Sequence, residues 1–137
     1  MIIPFEDYVR LVPEALTQQA EQAGKPVPPL LTEDLRSLYK EFCYFGKVMD
    51  EALSGFIEDY CSSHGYQKYL RLSVKEQGEL TFQLMKRANL SREDLLRIFG
   101  GLFAIHEKIF APGEEPKFSD PEVVAGIVDS YKRVGVL

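Results

Sequence analysis

Residues 97–110 read RIFGGLFAIHEKIF, the most apolar stretch of the chain. It carries adjacent glycines, Gly100 and Gly101, at its centre and His106 just beyond. Three local structures fit it: a glycine loop around a ligand, a turn between two short helices, or a weak point within one buried helix. Phosphate loops need several glycines at fixed spacing, after a strand and before a helix. Here there is no Gly-x-Gly, no following Lys-Ser or Lys-Thr, and no strand pattern upstream. A single helix over 92–110 brings Leu95, Phe99, Leu102, Phe103, His106 and Phe110 near one face, widened by Leu96, Ile98, Ile105 and Ile109. Two interior glycines cost such a helix roughly 2 kcal/mol of propensity. Burial at about 1.5–3 kcal/mol per large apolar side chain outweighs that. The spacing therefore predicts one helix, apolar nearly all round and central to a bundle. The glycines would admit a close neighbour, and His106 is expected as a neutral core histidine.

The flanking segments are also helical in pattern. Ser91 and Asp94, and before them Ser73 and Glu76, have capping-box spacing. The second pair opens a helix over 74–88 that Gly78 is expected to interrupt. Thr32 is expected to cap a long amphipathic helix running to about residue 62, with Leu35, Leu38, Tyr39, Phe42, Met49, Leu53, Phe56 and Tyr60 on its apolar side. Gly46 and Gly55 inside it would permit close helix crossings, and Gly65 would close it in the left-handed conformation. His64 would then serve last-turn carbonyls. One or two turns follow in 66–72. Pro4 suits a first turn, and Pro13 should kink or restart the N-terminal helix. Gly24 and Pro26 end that helix and open a proline-rich linker, 24–31, whose Pro26-x-x-Pro29 spacing is that of an SH3 ligand. A polar loop, 111–119, precedes a last helix capped by Asp120 with Pro121 in its first turn. Its apolar face is Val123, Val124, Ile127, Val128 and Tyr131, with Gly135 at its end. The predicted fold is all-α, a single-domain bundle of five or six helices spanning 1–137.

Composition bounds the function. Hydrophobic content of 45% and charged content of 27% are those of a globular chain. No apolar run approaches the ~18 residues of a membrane span, and the N-terminus has no secretory leader pattern. The expectation is a cytoplasmic protein without a membrane partner. If Cys43 and Cys61 lie on one continuous helix they are about 27 Å apart, too far for a disulfide, and are expected as apolar thiols. The net charge is −5, unevenly placed. Residues 1–67 carry −6, residues 68–97 carry +3 and residues 98–137 carry −2.

Within the basic segment, residues 84–101 read LMKRANLSREDLLRIFGG. Ala88, Leu90, Ser91, Leu95, Ile98 and Gly100 resemble the helix-turn-helix of the repressor family. Asn89 stands at its usual glycine, and Met85 where alanine is preferred. The resemblance implies DNA contact by Arg92, Glu93 and Arg97, with Lys86 and Arg87 nearer the phosphates. Glu93 and Asp94 oppose it, because they set two acids where phosphates would lie.

Catalytic motifs are absent: no Glu-x-x-His, no His-Glu-x-x-His and no Gly-x-Ser-x-Gly. No catalytic, cofactor-binding or metal-ligating residue is assigned, and an enzyme using His106 or His64 is the third alternative. The favoured expectation is a non-catalytic regulatory module that binds another protein, or itself as a homodimer, ahead of nucleic acid. Adjacent residues on a helix diverge by 100°, so Phe42, Tyr44 and Phe45 cannot all face one core. They are the candidate contacts, with Asp50 and Glu51 on the acidic face for steering.

Overall fold

The computed structural model describes residues 2–22, 24, 26, 30–111, 113–115 and 117–137. Among them are six α-helices and one five-residue π-helical turn, with no strand. The helices are α1 (Phe5–Gln22), α2 (Thr32–Ala52), α3 (Ser63–Leu70), α4 (Val74–Ala88), α5 (Arg92–Phe110) and α6 (Pro121–Arg133), with the π turn at Ile57–Cys61 between α2 and α3. The all-α bundle read from the sequence is the fold observed. The Pro26-x-x-Pro29 motif and most of the linker lie outside the described residues.

The central stretch is one helix. α5 runs unbroken through Gly100 and Gly101, packed between α2 on one side and α6 on the other. A Cβ at Gly100 would meet nothing within 4 Å, whereas one at Gly101 would come within 2.6 Å of the Glu41 carboxylate carbon. Gly101 thus makes room for side chains of α2, and Gly100 is the weak point alone. Leu95, Ile98, Phe99 and Ile109 are buried, but Leu102 and His106 are exposed. His106 is therefore not a core histidine: the second half of α5 is covered on fewer sides, and its imidazole stacks on Phe110 at 4.5 Å.

The long helix expected over 32–62 ends at Ala52. Leu53 is extended (φ −125°, ψ 102°) and Gly55 takes φ +86°, so Ser54-Gly55 acts as a turn. The turn sends the chain back along α2. Phe56 meets Phe45 at 5.8 Å between ring centroids, and Cys61 lies beside Gly46. The 27 Å separation of the cysteines thus fails, since it assumed a continuous rod; both are free thiols, Cys61 buried and Cys43 half-buried. Gly46 does admit a close neighbour, here Ile2 and the π turn. Gly65 is not a helix end. It sits in the first turn of α3, where a Cβ would fall 2.7 Å from the Asp59 carbonyl oxygen. His64 is accordingly exposed at the start of α3 rather than in the last turn of a helix.

Three smaller expectations shift. α1 continues through Pro13 without restarting. Leu31, not Thr32, is the residue preceding the first turn of α2, and its N–H donates to Asp34 at 3.4 Å. α4 passes through Gly78 uninterrupted. The remaining caps form where they were read. Ser73 and Glu76 exchange hydrogen bonds at 3.2 and 3.1 Å, Ser91 accepts from Asp94 at 3.1 Å, and Asp120 accepts from Glu122 at 2.9 Å. Asn89 is left-handed (φ 51°, ψ 51°) between α4 and α5.

Two apolar clusters result. One joins α2, the π turn, α4, α5 and α6 through Met49, Phe56, Tyr60, Cys61, Met85, Leu95, Ile98, Phe99 and Val128. The other joins α1 to α2 and α3 through Ile3, Tyr8, Leu11, Val12, Leu35 and Tyr66. Phe42 and Tyr69 pack against both.

Candidate functional site

The two clusters do not close fully against each other. At their seam is a hollow of about 320 Å³, walled by α1, α2, the π turn, α3, α4 and α5. Its lining is almost wholly ring and aliphatic carbon: Tyr8, Leu38, Phe42, Phe45, Tyr66, Phe82, Met85, Ile98, Phe99 and Leu102 contribute, with the backbone of Gly78. Leu102, at 38% exposure, is the lining residue that reaches furthest into solvent. The rings hold one another in place. Tyr8 meets Phe42 at 5.3 Å, Phe42 meets Tyr66 at 5.0 Å, Tyr66 stacks on Tyr69 at 6.1 Å, and Tyr69 meets Tyr60 at 5.0 Å. Offset and edge contacts of this kind add to the burial of each ring.

Three hydroxyls meet in the wall. Thr81 donates its hydroxyl to the Gln77 carbonyl at 2.8 Å, one turn back on α4. Its oxygen lies 3.2 Å from the Tyr60 hydroxyl and 3.3 Å from that of Tyr69. Burial pushes the Tyr60 phenol well above the ordinary tyrosine range, with Tyr69 beside it adding to the rise. Tyr8 and Tyr66 are raised by burial in the same way. Among the described lining residues there is no Asp, Glu, Lys, Arg or His.

The residues singled out from the sequence occupy mixed positions. Phe42 and Phe45 are half-buried and turn into the hollow. Tyr44 is half-buried under the Arg97 guanidinium at 4.6 Å and packs against the same larger cluster as Phe42 and Phe45, so the three rings do share one core. Asp50 is half-buried and Glu51 exposed in the last turn of α2. On the nucleic-acid side, Lys86, Arg87, Arg92, Glu93 and Arg97 are all exposed. Arg92 is bidentate to Asp129 of α6 (3.0 and 3.2 Å) and Arg97 bidentate to Glu41 of α2 (2.7 and 3.1 Å). Lys86 donates to the Gly135 carbonyl at 2.7 Å. Arg92 and Arg97 thus tie α5 to acids of α6 and α2, and Lys86 ties α4 to the C-terminal backbone. Tyr60, Tyr69 and Thr81 carried no sequence signal as a group, because they converge only after the reversal at Gly55.

A larger and more polar cleft, about 640 Å³, lies between the start of α2 and the end of α5. Three of its charges are internally engaged: Lys108 lies 3.5 Å from Asp34, and Glu107 accepts from the backbone N–H groups of Lys117, Phe118 and Ser119 and from the Ser119 hydroxyl. Among the described residues no group of three or more His, Cys, Asp or Glu is placed to hold a metal ion. None of the described helices is long and apolar enough to cross a membrane. No protein-family model, curated protein or solved structure matches the chain.

Proposed function

We propose that this protein is a small non-catalytic binding module whose recognition element is the aromatic hollow, with Phe42 and Phe45 acting from inside it. The observation that carries the reading is a concavity of about 320 Å³ lined by rings and aliphatic carbon at the seam of two apolar clusters. Small-molecule sites are apolar concavities of roughly 300–1,000 Å³ with a few placed polar groups. The hollow meets that description at its small end. Occupancy would join α4 more firmly to α2 and α5, which gives binding a route to regulation through rigidity.

Apolar cavities take up benzene or xenon, so either serves as a probe. In methyl-resolved NMR, titration with benzene is expected to move the Met85, Ile98 and Leu102 signals while leaving Val134, exposed beyond α6, in place. Uniformly small shifts across all methyls would end this reading.

A second reading, a helix-turn-helix DNA binder, draws support from the left-handed Asn89 and the capping Ser91 between α4 and α5. It requires Arg92 and Arg97 to leave Asp129 and Glu41 for phosphates. A duplex shift at low salt that weakens steeply as salt rises is its signature; no shift at low salt removes it.

A further inference from the structure

We infer that the hollow takes a neutral, mainly apolar small molecule carrying one hydrogen-bond donor, which it offers to the phenol oxygens of Tyr60 and Tyr69. The inference rests on the hollow being the recognition site and adds the chemistry of its occupant. Thr81 has a single hydroxyl proton, and the contact to the Gln77 carbonyl at 2.8 Å claims it, since a carbonyl has none to give. The Thr81 oxygen also lies 3.2 Å from the Tyr60 hydroxyl and 3.3 Å from the Tyr69 hydroxyl. In both contacts Thr81 must then be the acceptor, so each tyrosine has committed its only proton. The hydroxyl group of three therefore turns acceptor capacity, and no spare donor, toward the hollow.

The rest of the wall narrows the class. An anion would find no cation there, and a cation would find no carboxylate. Burying either without a partner is strongly unfavourable. Phe42, Phe45, Phe99 and Leu102 supply ring and aliphatic contact on the remaining sides. A compact alcohol, phenol or amide N–H on an apolar body fits both halves of this surface.

Three probes of nearly equal size separate the possibilities when titrated into the full chain by NMR: cyclohexylmethanol, its ether isomer methoxycyclohexane, and cyclohexanecarboxylate. The alcohol is expected to bind about three- to tenfold more tightly than the ether, the span of one neutral hydrogen bond, with the carboxylate weakest. Thr81→Val removes the shared acceptor and frees two tyrosine protons that either probe can accept, so the preference for the alcohol should shrink toward parity. Gly78→Leu places a side chain at a lining position where nothing lies within 4 Å. It should weaken all three probes at least tenfold while the far-UV circular dichroism stays unchanged. Equal binding of alcohol and ether, or an undiminished preference in Thr81→Val, overturns the donor assignment while benzene uptake still upholds the hollow. Failure of all three probes and of benzene removes the hollow itself. A concentration-dependent dimer abolished by Gly78→Leu would assign the hollow to a second copy of the chain and overturn the small-molecule inference.

Discussion

Two glycines of this chain are helical and yet answer to opposite constraints. At Gly65 an added Cβ would lie 2.7 Å from the Asp59 carbonyl oxygen and 3.0 Å from its carbon, both backbone atoms that cannot swing aside. At Gly78 it would meet nothing within 4 Å. Gly65→Ala is therefore expected to destabilise by about 1–3 kcal/mol, the cost of forcing a packed backbone apart. Gly78→Ala should stabilise by up to about 1 kcal/mol through helix propensity. Urea midpoints at constant m-value measure both: an unlowered midpoint in Gly65→Ala would contradict the packing at Gly65, and a lowered one in Gly78→Ala the open space at Gly78. Glu107 is a different case. Partial burial pushes its carboxyl upward, but the N–H groups of Phe118, Ser119 and Lys117 and the Ser119 hydroxyl together hold it below the ordinary glutamate range. A depressed folded pKa stabilises above the unfolded value, about 4.3, and that contribution fades as pH falls through the folded one. Amide exchange at Phe118 and Ser119 should thus accelerate, relative to the intrinsic rate, on the acid side of that value. In Glu107→Ala the two amides should be fast throughout, and unchanged protection would refute the carboxylate's role in holding the loop.

α5 shows how one helix is placed by both its faces. Its apolar side is buried by α2 and α6, while its arginines reach across to the same two neighbours: Arg97 to Glu41 of α2, Arg92 to Asp129 of α6. The Arg97–Glu41 pair is the more protected, because the carboxylate side chain is only 11% exposed and the guanidinium also covers the Tyr44 ring. Its geometry is bidentate, which raises it above an ordinary surface pair. A double-mutant cycle with Arg97→Met and Glu41→Gln is expected to give a coupling of about 1 kcal/mol. The Arg92–Asp129 pair, half-exposed on both sides, should give less. Equal couplings, or none at Arg97, would mean that apolar contact alone sets the position of α5.

The folded body as a whole shields one thiol and leaves the other within reach. Cys61 is fully buried against α2, and burial first, then nearby Asp50 and Cys43, pushes its thiol up to about 12. The thiolate is the reactive form, so Cys61 is protected twice, by access and by protonation. Cys43, half-buried in α2, should react first with a disulfide reagent at pH 8 in the native protein. Cys61 should follow only at the rate of large-scale opening and should accelerate with urea in parallel with unfolding. Prompt labelling of Cys61 without denaturant would show that the π turn opens locally, and with it one wall of the hollow.

The all-helical class, the serine and aspartate caps, the left-handed Asn89 and the unbroken α5 were legible in the sequence. Each depends on residues within a few positions of one another, where side-chain spacing and capping chemistry act directly. The same local signals misplaced the end of α2: apolar spacing continues past Ser54-Gly55, so only the return of Phe56 and Cys61 onto α2 reveals the reversal. From that reversal follow the tight seat of Gly65, the nearness of the cysteines and the position of Tyr60. Phe42, Tyr44 and Phe45 were read as rings that one core could not absorb, yet all three are half-buried and pack against the larger cluster, because which way they face depends on what lies across from them. The hollow itself gathers Tyr8, Tyr60, Thr81 and Leu102 from four separate stretches of chain. No spacing along a sequence encodes that meeting, because it is set by how two apolar clusters pack and by the space they leave between them.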